Sequence, residues 1–216
     1  MKYVIYIFLL AGALAFGQES TPFSDEVHAI SKKYDSLWDH SRETIVFTGS
    51  SSVRMWHTLK QSFPENQIVN TGFGGSQASD LLFHLEPLVL RFKPKQVFIY
   101  EGDNDLWAKK KPNEIIDTTH KIIQEIHKIN AGTKIVLIAA KPSISRWKLR
   151  GKYKRLNRKF RKMTDENPLV RYADVWSPML NKRKLKTDIF IEDGLHMNQK
   201  GYDLWYEAIK NFILNP

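Results

Sequence analysis

The stretch Thr44-Ile-Val-Phe-Thr-Gly-Ser-Ser-Ser-Val-Arg-Met-Trp56 constrains the fold more than any other part of the chain. Ile45, Val46 and Phe47 form a short apolar run of the kind a strand covered on both faces requires. Gly49 ends the run and permits a tight turn. Ser50, Ser51 and Ser52 follow, and Val53, Met55 and Trp56 begin an apolar pattern with helical spacing. The unit reads strand, Gly-Ser turn, helix N-terminus. Such a turn lifts a serine hydroxyl beyond the sheet edge, among N–H groups that helix geometry leaves without partners. Two uses fit: a nucleophile whose product is an oxyanion, or a cradle for a phosphate.

The pattern repeats along the chain. An amphipathic helix is predicted over Asp25 to Trp38, and the helix opened by Ser51 is predicted to end near Phe63 and Pro64. A second strand, Gln67 to Asn70, runs into the flexible loop Thr71-Gly-Phe-Gly-Gly75, followed by a helix from Ser79 to about Arg91. The third strand, Lys95 to Tyr100, ends in Glu101-Gly-Asp-Asn-Asp105, read as a turn, before a helix from Asn113 to Ile129. Lys134 to Ala140 is the fourth strand, and a basic helix is predicted from Arg146 to Thr164. Leu169 to Val175 is the fifth, Trp176 to Glu192 looks irregular, and Gln199 to Leu214 closes the chain as an amphipathic helix. Strands alternating with helices imply a parallel sheet covered on both faces. The expected architecture is α/β: a flavodoxin-like, doubly wound, five-stranded parallel sheet.

Residues 1–17 have a lysine, then a mostly apolar run with small residues at a plausible cleavage point, which is the layout of a secretory signal peptide; a membrane anchor is the less favoured reading. Residues 18–216 are expected to form one domain, secreted or periplasmic. The chain has no cysteine, which excludes disulfides, a thiolate metal site and a cysteine nucleophile. Its 33 Lys and Arg against 23 Asp and Glu suit an anionic membrane or an acidic polysaccharide. Charge alone would also admit nucleic acid, but export argues against it and no nucleic-acid partner is expected. No oligomeric state is legible.

In an open parallel sheet, ligands bind beyond the carboxyl ends of the strands. Ser50, Ser51 and Ser52 follow the first strand, Gly72, Gly74 and Gly75 the second, and Asp103, Asn104 and Asp105 the third. The late loop adds Asp193 and His196. Together they offer a hydroxyl nucleophile, donors for an oxyanion, an imidazole base and a carboxylate to orient it. Each piece alone has a blander reading, as helix cap, glycine turn or strand-end turn. The Asp-x-x-His spacing also occurs at Asp25/His28 and Asp117/His120, inside predicted helices. Asp193/His196 differs because Gly194 interrupts any helix. His57, His84 and His127 read as surface residues.

It is the conjunction, in order, at successive strand ends, that carries weight, and over nearly the whole mature chain it resembles the SGNH (GDSL-type) hydrolase family, nearest its platelet-activating-factor acetylhydrolase-like branch. The family's Gly-Asp-Ser block matches Gly49-Ser50-Ser51, with Ser50 in the position of Asp. The resemblance implies Ser51 as nucleophile and first oxyanion donor, with Ser52 as the competing assignment. It implies Gly75, ending Asn70-Thr-Gly-Phe-Gly-Gly75, and Asn104, in Gly102-Asp-Asn-Asp105, as the other donors. His196 would be the base and Asp193 its orienting carboxylate. The implied activity is ester hydrolysis with no metal and no cofactor; the sequence has no long apolar lid of the kind a true lipase carries, so short-chain, first of all acetyl, esters of a carbohydrate or lysophospholipid-like molecule are expected.

The segment Lys141 to Lys162 reads first as a solvated basic face and second as an attractor of anionic acceptors. Trp107 and Trp147 are candidate substrate contacts, with plain packing as their blander reading. Three rivals stay open. A degenerate hydrolase would bind anionic glycan or lipid surfaces without cutting them. A flavodoxin-like module holding phosphate or FMN would leave Asp193 and His196 idle. A phosphodiesterase or nuclease would want a metal cluster, for which only carboxylates near Asp103 and Asp105 are available.

Overall fold

In a computed structural model that describes residues 21–214, the strands β1 (Thr44–Gly49), β2 (Gln67–Gly72), β3 (Gln96–Tyr100), β4 (Lys134–Ile138) and β5 (Val170–Ala173) pair in parallel. Their order is β2-β1-β3-β4-β5, the flavodoxin-like order of a doubly wound sheet. The expected signal peptide lies outside the described residues. Among those described, no helix is long and apolar enough to cross a membrane.

Nine helices are described: α1 (Ser24–Leu37), α2 (Ser51–Arg54), α3 (Leu59–Ser62), α4 (Ala78–Phe83), α5 (Leu85–Leu88), α6 (Asp103–Trp107), α7 (Pro112–Ile129), α8 (Arg150–Glu166) and α9 (Gln199–Ile209). The longer ones follow their apolar spacing. α7 opens with Pro112, buries Ile115, Thr119, Ile122, Ile123 and Ile126, and has Glu114 accepting from the Lys111 N–H at 3.0 Å. α8 buries Tyr153, Leu156, Phe160 and Met163 beneath its basic outer face. On the α9 side of the sheet, Phe47 stacks on its registered neighbour Phe98, with ring centroids 4.2 Å apart. Trp56 then meets Phe47 and Trp205 edge-on, and Tyr100 packs against Trp205.

The structure departs from the sequence reading in five places. The helix expected from Ser51 to Phe63 is split into α2 and α3 because Trp56 turns inward to fill that aromatic cluster. The helix expected from Ser79 to Arg91 breaks at His84, since Pro87 has no N–H to return to Phe83. His84 is buried rather than on the surface, its Nε2 2.8 Å from the Pro22 carbonyl. The Glu101–Asp105 turn contains α6, which starts after Gly102 at φ 100°. The irregular stretch after β5 holds a small antiparallel pair, β6 (Leu180–Asn181) and β7 (Lys184–Leu185).

The register places the site. Gly49 pairs with Gly72 on one side and Tyr100 on the other, so three strands end level with one another. The chain segments leaving them carry the polar residues singled out in the sequence.

Candidate active site

Gly49 has φ 119°, and the Ser50 N–H donates to the Tyr100 carbonyl at 3.1 Å, so the chain turns sharply off β1. Ser51 is then the first residue of α2, where a backbone N–H has no intrahelical acceptor. Its Oγ lies 2.8 Å from His196 Nε2. His196 Nδ1 lies 2.5 Å from Asp193 Oδ2, and Asp193 Oδ1 accepts from the N–H groups of Leu195 and His196, each at 2.8 Å. Burial alone would raise the Asp193 carboxyl, but the bond from His196 and those two backbone bonds hold it down at about 2. Asp193 therefore stays ionised at neutral pH and orients the imidazole with a charged acceptor.

Ser52 faces the other way. It is buried, and its carbonyl accepts from the Tyr202 hydroxyl of α9 at 3.0 Å. Ser50, in the position where the resembled family has Asp, is buried beneath the turn.

The loop after β2 is fixed from outside. The Gly74 N–H donates to both carboxylate oxygens of Glu26, on α1, at 3.1 and 3.0 Å, and Arg54 pairs with the same carboxylate at 3.1 Å. Gly75 follows, exposed and at φ 75°. Asn104, in α6, donates from Nδ2 to the Ser76 carbonyl at 2.9 Å and accepts at Oδ1 from Arg146 at 3.0 Å. Both ends of the amide are thus assigned, and the second Nδ2 hydrogen is left free. Asp105 bridges the two loops, accepting from the N–H groups of Ala78 and Gly102. The structure therefore brings Ser51, Gly75, Asn104, Asp193 and His196 to one end of the sheet.

Trp107 is 59 % exposed three residues after Asn104, with the Arg146 guanidinium 5.3 Å from its ring centre. Trp147 instead stacks on Trp176, 6.3 Å away and 13° from parallel, so packing accounts for one of its faces. The basic segment is not uniformly solvated. Lys141 is fully buried and the Arg146 side chain is only 10 % exposed. Glu26 was missed by the sequence reading, Lys141 and Arg146 were read only as part of a basic segment, and Asp103 was singled out at the end of β3 without the ion pairs it makes here. The other strands end in polar residues that advertise chemistry, whereas the extension of β4, which carries Lys141, reads as apolar until Ala140.

Among the described residues, no group of three or more His, Asp or Glu is arranged to hold a metal ion. Asp103 and Asp105, the carboxylates available to a nuclease-type cluster, are committed to side-chain and backbone donors respectively.

Glu101 lies beneath the Gly75 loop with Ser76 Oγ donating to its Oε1 at 2.7 Å and Oε2 without a partner. Burial, reinforced by the charge of Asp105, pushes its carboxyl well above the ordinary range. The folded chain keeps a proton there that the unfolded chain releases, so stability falls as pH rises through the ordinary glutamic acid range toward the raised value. Glu101→Gln, neutral at every pH, should leave Tm unchanged at about pH 4 and raise it by a few degrees at about pH 8. Thermal scans at the two pH values check this; no gain at the higher pH would show that Glu101 ionises without penalty in the fold.

The model of the GDSL-like lipase/acylhydrolase family matches residues 35–204. A comparison with curated proteins gives no match. Among solved structures, a Streptococcus pneumoniae chain provisionally named a platelet activating factor superposes with a TM-score of 0.75 at 23% identity, covering 87% of this chain and 92% of that one. A GDSL-like lipase of Bacteroides thetaiotaomicron gives 0.70 at 21%, covering 84% and 96%. An acetylxylan esterase of Geobacillus stearothermophilus, in a catalytic mutant form, gives 0.66 at 18%, covering 80% and 95%. At these identities the likeness to the three structures is one of fold.

Proposed function

The chain belongs to the GDSL-like lipase/acylhydrolase family and is a carboxylic ester hydrolase, and from that premise we propose that it is an exported serine esterase releasing short acyl groups, acetyl first, through an acyl-enzyme on Ser51. The observation that carries this reading is the 2.8 Å contact between Ser51 Oγ and His196 Nε2, with Asp193 behind the imidazole. A serine hydroxyl is a weak nucleophile unless an adjacent base accepts its proton. His196 takes that proton as Oγ attacks the ester carbonyl. The N–H groups of Ser51 and Gly75 and the free Nδ2 hydrogen of Asn104 stabilise the negative oxygen of the tetrahedral intermediate. His196 then gives the proton to the departing alcohol oxygen, and the acyl group stays on Ser51. A water molecule, deprotonated by His196, releases the acid and restores the serine.

Three observations support the acyl preference and the acceptor. The Geobacillus relative is an acetylxylan esterase whose catalytic mutants replace one serine and one histidine by alanine. Trp107 is exposed beside Asn104, where a sugar ring of the alcohol portion could stack. The outer face of α8 exposes Lys152, Lys154, Arg155, Arg158 and Lys162, which favours approach to an acidic polysaccharide or an anionic membrane. The test is hydrolysis of p-nitrophenyl esters from acetate to octanoate by the mature chain. The expected result is highest kcat/KM on acetate, falling steadily with chain length. An optimum at octanoate would replace the acetyl reading with a lipase-like one, and no turnover at any length would remove the esterase reading.

A further inference from the structure

Asp103 is the first residue of α6, at 4 % exposure. Its Oδ1 accepts from Arg146 Nη1 at 2.6 Å and from the Tyr153 hydroxyl, and its Oδ2 accepts from the Tyr100 hydroxyl at 2.9 Å. Lys141 Nζ lies 3.7 Å from Oδ2. Two cations therefore flank one buried carboxylate, Lys141 fully buried and the Arg146 side chain 10 % exposed. Burying an ammonium group is costly unless it is paired, so a lysine here needs a reason.

Both cations reach beyond Asp103 to parts of the active site. Arg146 Nη1 also donates to Asn104 Oδ1 at 3.0 Å. Lys141 Nζ donates to the Leu195 carbonyl at 2.6 Å, and Leu195 stands between Asp193 and His196. That loop is further tied to the same connection by the N–H groups of Ile144 and Ser145, which donate to the Gly194 carbonyl at 2.9 and 3.1 Å. The chain following β4 thus holds the oxyanion side with one cation and the histidine loop with the other, and Asp103 joins the two. Resting on the serine-esterase reading, we propose that Arg146, Lys141 and Asp103 are positioning residues which lock the Asn104 amide with its free hydrogen toward the oxyanion and fix that donor relative to His196.

The reasoning is geometric. With Arg146 on Oδ1 and the Ser76 carbonyl on Nδ2, the amide cannot flip without placing its oxygen against a carbonyl and its NH₂ against a guanidinium. Without Arg146, Oδ1 has no fixed donor, and the amide is free to turn its oxygen toward the negative charge it should stabilise. The excess positive charge of the pair also favours an oxyanion formed beside Asn104. Burial alone would raise the Asp103 carboxyl, but Lys141 and Arg146 keep it below the ordinary range, so the charged form is the one that holds both cations.

Arg146→Met is the deciding variant, because it leaves Asp103 paired with Lys141, and Lys141→Met tests the other arm. Steady-state kinetics on p-nitrophenyl acetate, normalised to active sites titrated with a fluorophosphonate, separate positioning from folding. The expected result for Arg146→Met is kcat lower by about 10- to 100-fold, less than or equal to the loss of an oxyanion donor, with KM within about threefold. Fluorophosphonate labelling should slow in parallel, because the phosphonyl oxygen occupies the same hole. A purely structural role would lower the number of titratable sites and leave kcat per site unchanged, and that result for Arg146→Met overturns the proposal whether or not Lys141→Met folds. An inactive wild-type chain would instead defeat the esterase reading on which the proposal rests.

Discussion

Ser51→Ala should lower kcat for p-nitrophenyl acetate by about 10⁴- to 10⁶-fold, while Ser52→Ala should keep kcat within about threefold of the wild type. The two serines are neighbours in sequence, yet the turn off β1 sends them in different directions. Ser51 meets His196 at 2.8 Å. Ser52 is 3 % exposed, on the side of α2 that packs into the protein. Losing the Ser52 hydroxyl changes one buried polar group away from His196, and stability should move by no more than about 1 kcal/mol. Losing Ser51 removes the only atom on which an acyl-enzyme can form in this arrangement. Kinetics on the two variants, with mass analysis of the fluorophosphonate-labelled peptide, check both halves. Label on Ser52, or turnover surviving in Ser51→Ala, would mean that the α2 turn adopts a different rotation in the working enzyme.

The strand-turn-helix unit at Thr44 to Trp56 was legible because each of its signals is local. An apolar run, a glycine and a change of period lie within a dozen residues, and the sheet order follows from repeating the unit. The positions of Gly75, Asn104, Asp193 and His196 were legible only as a conjunction, since a glycine loop or an Asp-x-x-His spacing has many ordinary uses. The buried assembly around Asp103 was not legible at all. Lys141 and Arg146 stand at the head of a segment rich in solvated cations, and nothing in composition separates the two that turn inward from those that stay in water. What distinguishes them is the buried carboxylate of Asp103 at the start of α6, 38 and 43 residues earlier in the chain. His84 was misplaced for a similar reason, because its partner, the Pro22 carbonyl, comes from the segment preceding α1. Pro87 was a local signal for the break between α4 and α5 that apolar periodicity alone obscured.

The glycines at the site make the largest structural prediction, because the fold asks different things of each. Gly49 has φ 119°, and a Cβ there would lie 2.1 Å from the Tyr100 carbonyl oxygen and 2.7 Å from its carbon. Those are main-chain atoms of the central strand, and that oxygen also accepts the Ser50 N–H. Neither can withdraw without separating β1 from β3. Gly49→Ala therefore adds strain from an unfavourable backbone region to a clash that cannot relax, and should destabilise the fold by more than about 4 kcal/mol. For a domain of this size that lowers Tm by roughly 10 °C or more, or leaves the chain insoluble. Gly75 is the control. It too has positive φ, at 75°, but a Cβ there meets nothing within 4 Å. Gly75→Ala should cost only the conformational preference, about 1–2 kcal/mol, and yield folded protein with Tm lower by a few degrees. Thermal scans of the two variants compare the terms directly. A Gly49→Ala chain as stable as Gly75→Ala would show that β1 and β3 can separate at their ends, and the turn presenting Ser51 would then be a pliable feature rather than one held by the sheet.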